Sequence, residues 1–492
     1  MLSRFFRAAL FLATAIGAVA APRLNVVFIL ADDFGWRDLG CYGSTFYETP
    51  HVDQLARDGL RFAQAYAACN VCSPTRASIM TGKYPARLHL TDWLPGRPDN
   101  PHQLLSRPPL PSHLALGEFT VAEAFAQAGY TTCFIGKWHL GGRGYYPSDQ
   151  GFRYNIGGCH LGHPPSYFSP YHIPTLQDGP KGEYLTDRLT NEAIAFIRSH
   201  KDGPFFLYLA HYAVHNPQQA KPELIAKYRA KLKAKPPPPG PEFRPEGDHE
   251  TRQVQDQPVY AAMVESLDQS IGRILAELDR EGLAGNTIVV FTSDNGGLAT
   301  AEGSPTSNEP LRAGKGWPYE GGVREPLIVR WPGVTRPDST SDQPVISTDF
   351  YPTLLAMTGL PPEPQQCLDG VSFVPVLEGR TMPERPLFWH YPHYSNQGGR
   401  PEGAVRLGDY KLIEWYEDMH VELFNLRDDP GEHHDLALAL PQKTDELRRL
   451  LHQWRKSVGA AMPSRNPAYE PGDPWHPRGG AKGRRQAKAG QG

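Results

Sequence analysis

The sequence predicts an α/β fold with a smaller α+β unit at its C-terminal end, on three observations. Residues 24–30 (LNVVFIL), 204–209 (PFFLYL) and 288–291 (IVVF) are near-continuous apolar runs, the pattern of strands buried on both faces. Residues 260–281 carry Ala262, Val264, Leu267, Ile271, Ile274, Leu275 and Leu278 at helical spacing, and shorter helical stretches punctuate the chain. Residues 385–430 alternate with period two, like antiparallel strands, before a closing helix at 445–458. The 48 glycines and 49 prolines among 492 residues fit a loop-rich chain better than a helical bundle. A net charge of −3 argues against a dedicated nucleic-acid binder, so any anion selectivity has to be local.

Taken in order, residues 1–20 read as a signal peptide: Arg4 and Arg7, an apolar stretch at 8–17, then Ala18-Val19-Ala20 as the cleavage site. That stretch is short for a bilayer span, and no other window is apolar enough. The mature chain is therefore expected to be exported, periplasmic or secreted, with no stable membrane span. The lack of an Asn-x-Ser/Thr sequon points to a bacterial source. Six cysteines (Cys41, Cys69, Cys72, Cys133, Cys159 and Cys367) fix no disulfide framework. The strand at 24–30 ends in Asp32-Asp33. Two carboxylates at the end of a first strand suit a hard cation, Ca²⁺ or Mg²⁺; a helix cap beside a solvated acid gives the same pattern.

Residues 49–62 read as a helix and a strand that deliver the chain to Cys72-Ser73-Pro74-Thr75-Arg76, with a helix opening at 77–80. A helix N-terminus and the Arg76 guanidinium favour an anion beside Cys72. The plain alternatives are a buried structural cysteine, or Cys69-x-x-Cys72 as a redox pair or zinc half-site. Residues 92–116 read as a Pro-rich loop near the site, 120–128 as a helix and 131–135 as a strand. Lys137 and His139 follow, two apart on extended backbone and so facing the same way, able to hold an anion jointly. In the Gly/Pro/Tyr/His-rich segment 142–180, His160 and His163 are expected at the surface. After the strand at 204–209 come His211 and His215-Asn216-Pro217. Residues 221–250 read as a polyproline excursion. Asp294-Asn295-Gly296 alone reads as a turn. Lys315 between glycines allows ammonium and backbone to approach an anion closely.

Residues 72–83 (CSPTRASIMTGK) resemble the signature of the type I, formylglycine-dependent sulfatases within the alkaline phosphatase superfamily. Residues 136–141 (GKWHLG), 215–217 (HNP), 293–297 (SDNGG) and 311–326 (LRAGKGWPYEGGVREP) resemble that family's further motifs, in family order over roughly 24–435. The resemblance implies an alkaline-phosphatase-like mixed sheet sandwiched by helices, at 21–375, with an antiparallel sheet and helix at 376–462; the Pro/Gly-rich, then basic composition of 463–492 predicts a disordered tail. It implies that a formylglycine-generating (sulfatase-maturing) enzyme converts Cys72 to formylglycine. It implies Ca²⁺, with Mg²⁺ second, held by Asp32, Asp33, Asp294, Asn295 and the modified Cys72. Catalytic roles fall to Cys72, Arg76, Lys137, His139, His215 and Lys315, of which Lys137, His215 and Lys315 also bind the sulfate. The implied substrate is a sulfate ester, a sulfated carbohydrate or an aryl sulfate. His390, His393 and Asn396, in an aromatic and amide-rich loop, are candidate sugar contacts; an ordinary hairpin loop is the alternative. Two rival functions remain: a phosphonate or phosphodiester hydrolase of the same superfamily, and a non-catalytic, Ca²⁺-dependent glycan-binding protein.

Overall fold

The computed structural model describes residues 23–475, apart from 238 and 364. The expected signal peptide and the basic end of the tail lie outside the described residues. At the centre is a nine-stranded mixed sheet. Its inner strands Thr287–Ser293, Asn25–Ala31, Phe205–Ala210 and Thr131–Gly136 run parallel in that order. Arg324–Arg330 enters antiparallel between Thr287–Ser293 and Leu60–Tyr66.

The apolar runs explain the layering. Successive side chains of a strand point to opposite faces. Val27, Ile29, Leu207, Leu209, Val289 and Phe291 pack with the helices Leu185–Ser199 and Pro258–Arg280. Val26, Phe28, Phe206, Tyr208, Ile288 and Val290 pack on the other face, with Cys72–Thr81, Val121–Gln127 and Phe350–Thr358. Both faces are covered, which is why these strands carry no polar alternation.

A four-stranded antiparallel meander, Leu387–Tyr391, Glu402–Leu407, Tyr410–Trp415 and Val421–Asn425, forms the smaller unit. The helix Pro441–Ser457 covers it through Leu447, Leu451 and Trp454. Among the described residues no helix is long and apolar enough to cross a membrane.

Three local readings are corrected. The helix expected at 77–80 starts at Cys72. Pro74 lies in its first turn, where an N–H has no intrahelical acceptor to lose, so the proline is tolerated. The polyproline excursion contains a helix, Pro222–Ala234, whose Leu224 and Tyr228 are buried, and a hairpin, Phe243–Glu246 with His249–Arg252. The tail is structured up to residue 475. Ser464–Arg465 pairs with Leu105–Ser106, and the Trp475 indole donates to the Ser395 carbonyl at 3.1 Å.

Candidate active site

The register of the inner strands places Leu30 beside both Thr292 and Ala210, and Ala210 beside Gly136. The residues just past those ends, Asp32, Asp294, His211 and Lys137, therefore emerge along one edge of the sheet, where α/β folds bind ligands. The chain enters the helix Cys72–Thr81 from an extended Val71 without a side-chain cap. The unpaired N–H groups of the first turn lie at a cleft that Cys72 lines.

Cys72 Sγ lies 3.3 Å from His139 Nδ1. His139 Nε2 is 2.6 Å from the Leu94 carbonyl, which can only accept, so Nε2 carries the proton and Nδ1 accepts from the thiol. Ser73 Oγ donates to the His139 carbonyl (2.9 Å) and receives the Leu94 N–H (3.1 Å), tying all three segments together.

Behind the thiol lies a charge cluster. Lys137 Nζ donates to both Asp32 oxygens at 2.8 Å. Arg76 donates to Asp294 Oδ2 from Nε (2.8 Å) and to the Lys137 carbonyl from Nη1 (2.7 Å), while its Nη2 forms an ion-pair contact with Asp294 Oδ2 at 2.7 Å. Lys315 Nζ donates to Asp33 Oδ2 (2.8 Å) and to His215 Nε2 (3.1 Å). His215 Nδ1–H donates to the Asn216 carbonyl at 3.0 Å, which leaves Nε2 the acceptor. A Cβ on Gly314 would strike the Gly297 carbonyl, so only glycine lets the Lys315 loop lie this close to the Asp294 loop.

Burial pushes the Asp32 carboxyl above the ordinary carboxylate range; Lys137 pulls the other way and Asp294 reinforces the rise. Burial also opposes the charge of Asp33, but His215, Lys315 and Lys137 together outweigh it and hold Asp33 below that range. Burial drives His139 and His215 well down, so both imidazoles are neutral. It works against Lys315 too, where Asp33 more than restores the charge. Burial raises the Cys72 thiol, against the pull of Lys137 and Lys315. As a thiol, Cys72 is a weak nucleophile.

The donor set fits a hard divalent cation. Asp32, Asp33, Asp294 and Asn295 are buried together. Asp32, Asp33 and His215 present ligand atoms within 4.8 Å of one another. Asn295 Nδ2 donates to Asp33 Oδ1 at 2.9 Å, and Asn295 Oδ1 is buried with no hydrogen-bond partner. An orphan amide oxygen beside clustered carboxylates is an oxygen ligand set of the kind Ca²⁺ takes.

The structure thus brings together Cys72, Arg76, Lys137, His139, His215, Lys315, Asp32, Asp33, Asp294 and Asn295. Of the three candidate sugar contacts it brings only Asn396 to the cleft. His390 is turned inward, its Nδ1 receiving Tyr416 O–H (2.7 Å) and its Nε2–H reaching the Ala461 carbonyl (3.0 Å). His393 is buried against Thr91 Oγ1 at 2.8 Å. Neither can touch a ligand there. His211 is spent on Ser270 Oγ at 3.0 Å. All six cysteines are free, and no disulfide joins Cys69 to Cys72. His160 and His163 are exposed, as expected, and also line the cleft with Trp93, Glu302 and Gln397. The cleft measures about 420 Å³; larger hollows of about 1370, 630 and 460 Å³ are lined by none of the ten residues brought together above.

The comparisons agree with this geometry. The family model described as Sulfatase matches residues 24–360, and that described as N-sulphoglucosamine sulphohydrolase, C-terminal, matches 313–457. A sulfatase of Formosa agariphila is 34% identical over 87% of this chain and 87% of its own. N-acetylgalactosamine-6-sulfatase of Homo sapiens is 32% identical over 92% of this chain and 89% of its own. The solved structure of Ps i-CgsB in complex with k-i-k-neocarrahexaose superposes with a TM-score of 0.72 at 28% identity, covering 88% of this chain and 93% of that one. The chain belongs to the sulfatase family, the sulfuric ester hydrolases with an alkaline-phosphatase-like fold.

Proposed function

We propose that this sulfatase releases inorganic sulfate from a sulfated carbohydrate, using Cys72 converted to formylglycine and a Ca²⁺ ion. The observation that carries the reading is the place of Cys72: first residue of a buried helix, in a cleft, within reach of His139 and beside the Lys315–His215 pair. Two relatives support the carbohydrate: the name of one specifies an N-acetylgalactosamine sulfate, and the other was solved in complex with k-i-k-neocarrahexaose.

The buried thiol is held protonated and, if sulfated, has no internal route to expel sulfate. A formylglycine hydrate at position 72 supplies one hydroxyl for attack on sulfur and a second for the later release of sulfate. Asp32, Asp33, Asp294 and Asn295 would hold Ca²⁺, which would supply positive charge to the site. The chain's own groups do the rest. Lys137 and Lys315 place two ammonium groups for the sulfuryl oxygens, and Arg76 braces Asp294 against the Lys137 carbonyl. Lys315 Nζ is placed to protonate the leaving oxygen, directly or through His215 Nε2, which accepts its proton. His139 Nδ1, the free acceptor next to position 72, is placed to take the proton from the second hydroxyl. Preorganised cations in a buried site form the largest rate term.

A paired assay tests this. Sulfate release from 4-nitrophenyl sulfate and a sulfated monosaccharide is expected, with the matching phosphate and phosphonate esters turned over far more slowly. Cys72→Ala is expected to abolish release. Faster turnover of the phosphorus esters would support the phosphonate or phosphodiester hydrolase reading instead, and glycan binding without any release would support the binding-protein reading.

A further inference from the structure

We infer that Glu302 is a specificity determinant that excludes a second anionic group next to the scissile ester, so that the substrate is an isolated sulfate on a neutral saccharide. The inference rests on the sulfatase reading above and narrows its substrate class.

Glu302 is the one carboxylate among the described residues that line the cleft. It sits at the tip of a loop with φ +55°, a left-handed conformation that turns the chain sharply. The smaller C-terminal unit pins it there. Gln397 Nε2 donates to Glu302 Oε1 at 2.7 Å. The Gln397 backbone carbonyl receives Thr300 Oγ1 (3.1 Å) and the Trp317 indole (2.8 Å), so the backbone of the residue that holds the carboxylate is anchored at two points. Asn216 Nδ2, next to His215, reaches the Glu302 carbonyl at 3.2 Å. The carboxylate is therefore fixed over the cleft, exposed to what binds there.

Its charge reaches the reaction centre. Glu302 lines the same cleft as Lys315 and His215. In the deep subsite Lys137, Lys315 and Arg76 are each paired with one of Asp32, Asp33 and Asp294, so Glu302 adds a negative charge that these cations do not match. It makes the outer part of the cleft anionic. A leaving group with a carboxylate or second sulfate there meets like charge in a site partly shielded from water, which costs binding and transition-state stability together. A neutral sugar meets groups that suit it: Glu302, Asn396 and Gln397 for hydroxyls, and the Trp93 ring for an apolar face.

The test compares kcat/KM for a monosulfated neutral saccharide with that for the same saccharide bearing a second sulfate or an adjacent uronate. Wild type is expected to favour the monosulfated neutral substrate by tenfold or more. Glu302→Gln, an isosteric change at an exposed position, is expected to narrow that ratio roughly tenfold, and Glu302→Lys to invert it. A wild type that prefers the doubly anionic substrate, or a ratio unmoved by both variants, would overturn the inference while leaving the sulfatase reading intact. No sulfate release from these substrates or from 4-nitrophenyl sulfate would overturn the reading itself, and the inference with it.

Discussion

The His139 ring has its two nitrogens committed in opposite directions: Nε2–H to the Leu94 carbonyl at 2.6 Å, and Nδ1 toward Cys72 Sγ at 3.3 Å. The tautomer follows from the carbonyl, and with it the role. A neutral imidazole whose free lone pair faces position 72 is a base for whatever hydroxyl or thiol stands there. His139→Ala is expected to lower kcat by about 10²–10⁴-fold with a smaller change in KM. Steady-state kinetics on a sulfate ester would check it; an unchanged kcat would remove the base role.

The pairing of Lys315 with His215 makes a second, sharper expectation. A group that protonates the leaving oxygen matters little when that oxygen leaves easily. His215→Ala is expected to lose about 10²-fold or more in kcat on an alkyl or sugar sulfate, and much less on 4-nitrophenyl sulfate. Equal losses on both would assign His215 to sulfate binding alone.

The oxygen cluster predicts a metal dependence with a readout apart from turnover. Chelation is expected to abolish sulfate release and Ca²⁺ to restore it, with Mg²⁺ less effective. In a thermal-shift titration, Ca²⁺ at 100 times its Kd stabilises by about 2.7 kcal/mol. Asp33→Asn is expected to remove that shift. A shift that survives in this variant would place the ion elsewhere.

Lys411 ties the two units together beneath the catalytic loop. It is fully buried, with Nζ 3.1 Å from Glu320 Oε1 and 3.0 Å from Glu432 Oε1, and Glu432 in turn accepts the Glu320 N–H at 2.6 Å. Glu320 stands in the same stretch as Lys315. Lys411→Met leaves the buried Glu432 without its cation and Glu320 with Arg324 at 3.5 Å, and is expected to destabilise the chain by about 3–5 kcal/mol. Adding Glu432→Gln is expected to return part of it. Chemical denaturation of the single and double variants would show whether the loss follows the unpaired charge.

His390 makes stability fall in acid. Burial pushes its pKa down to about 4, with the Ala461 carbonyl opposing. The ordinary value is about 6.5. A base depressed on folding binds fewer protons in the native state than in the unfolded chain. Its contribution is full above pH 6.5 and is lost as pH falls through 4, by up to about 3 kcal/mol. His211, pushed by burial to about 3, adds in the same sense. The melting temperature is expected to drop between pH 7 and 4, and less steeply in His390→Gln.

The parts of this site that sequence reveals are those that sit on the ends of strongly patterned strands. Asp32, Lys137 and Asp294 follow apolar runs directly, so the sheet order alone brings them together. Cys72 is legible from its motif, while the early start of its helix is not, because a proline in a first turn and a proline that breaks a helix look alike. Glu302 and Gln397 were missed: each stands in a turn-like stretch with no period, and only the packing of the smaller unit on the larger joins them. His390 was misread for the converse reason. It belongs to a strand whose five residues are all buried, and no alternation marks which of them meet the cleft.

The most direct test of the central claim is a peptide mass across Cys72, from protein produced with its export and maturation machinery. Conversion to formylglycine replaces sulfur by oxygen and removes two hydrogens, a loss of about 18 Da. The account predicts that loss in the active fraction. A fully active protein whose Cys72 peptide carries only the unmodified thiol would contradict it.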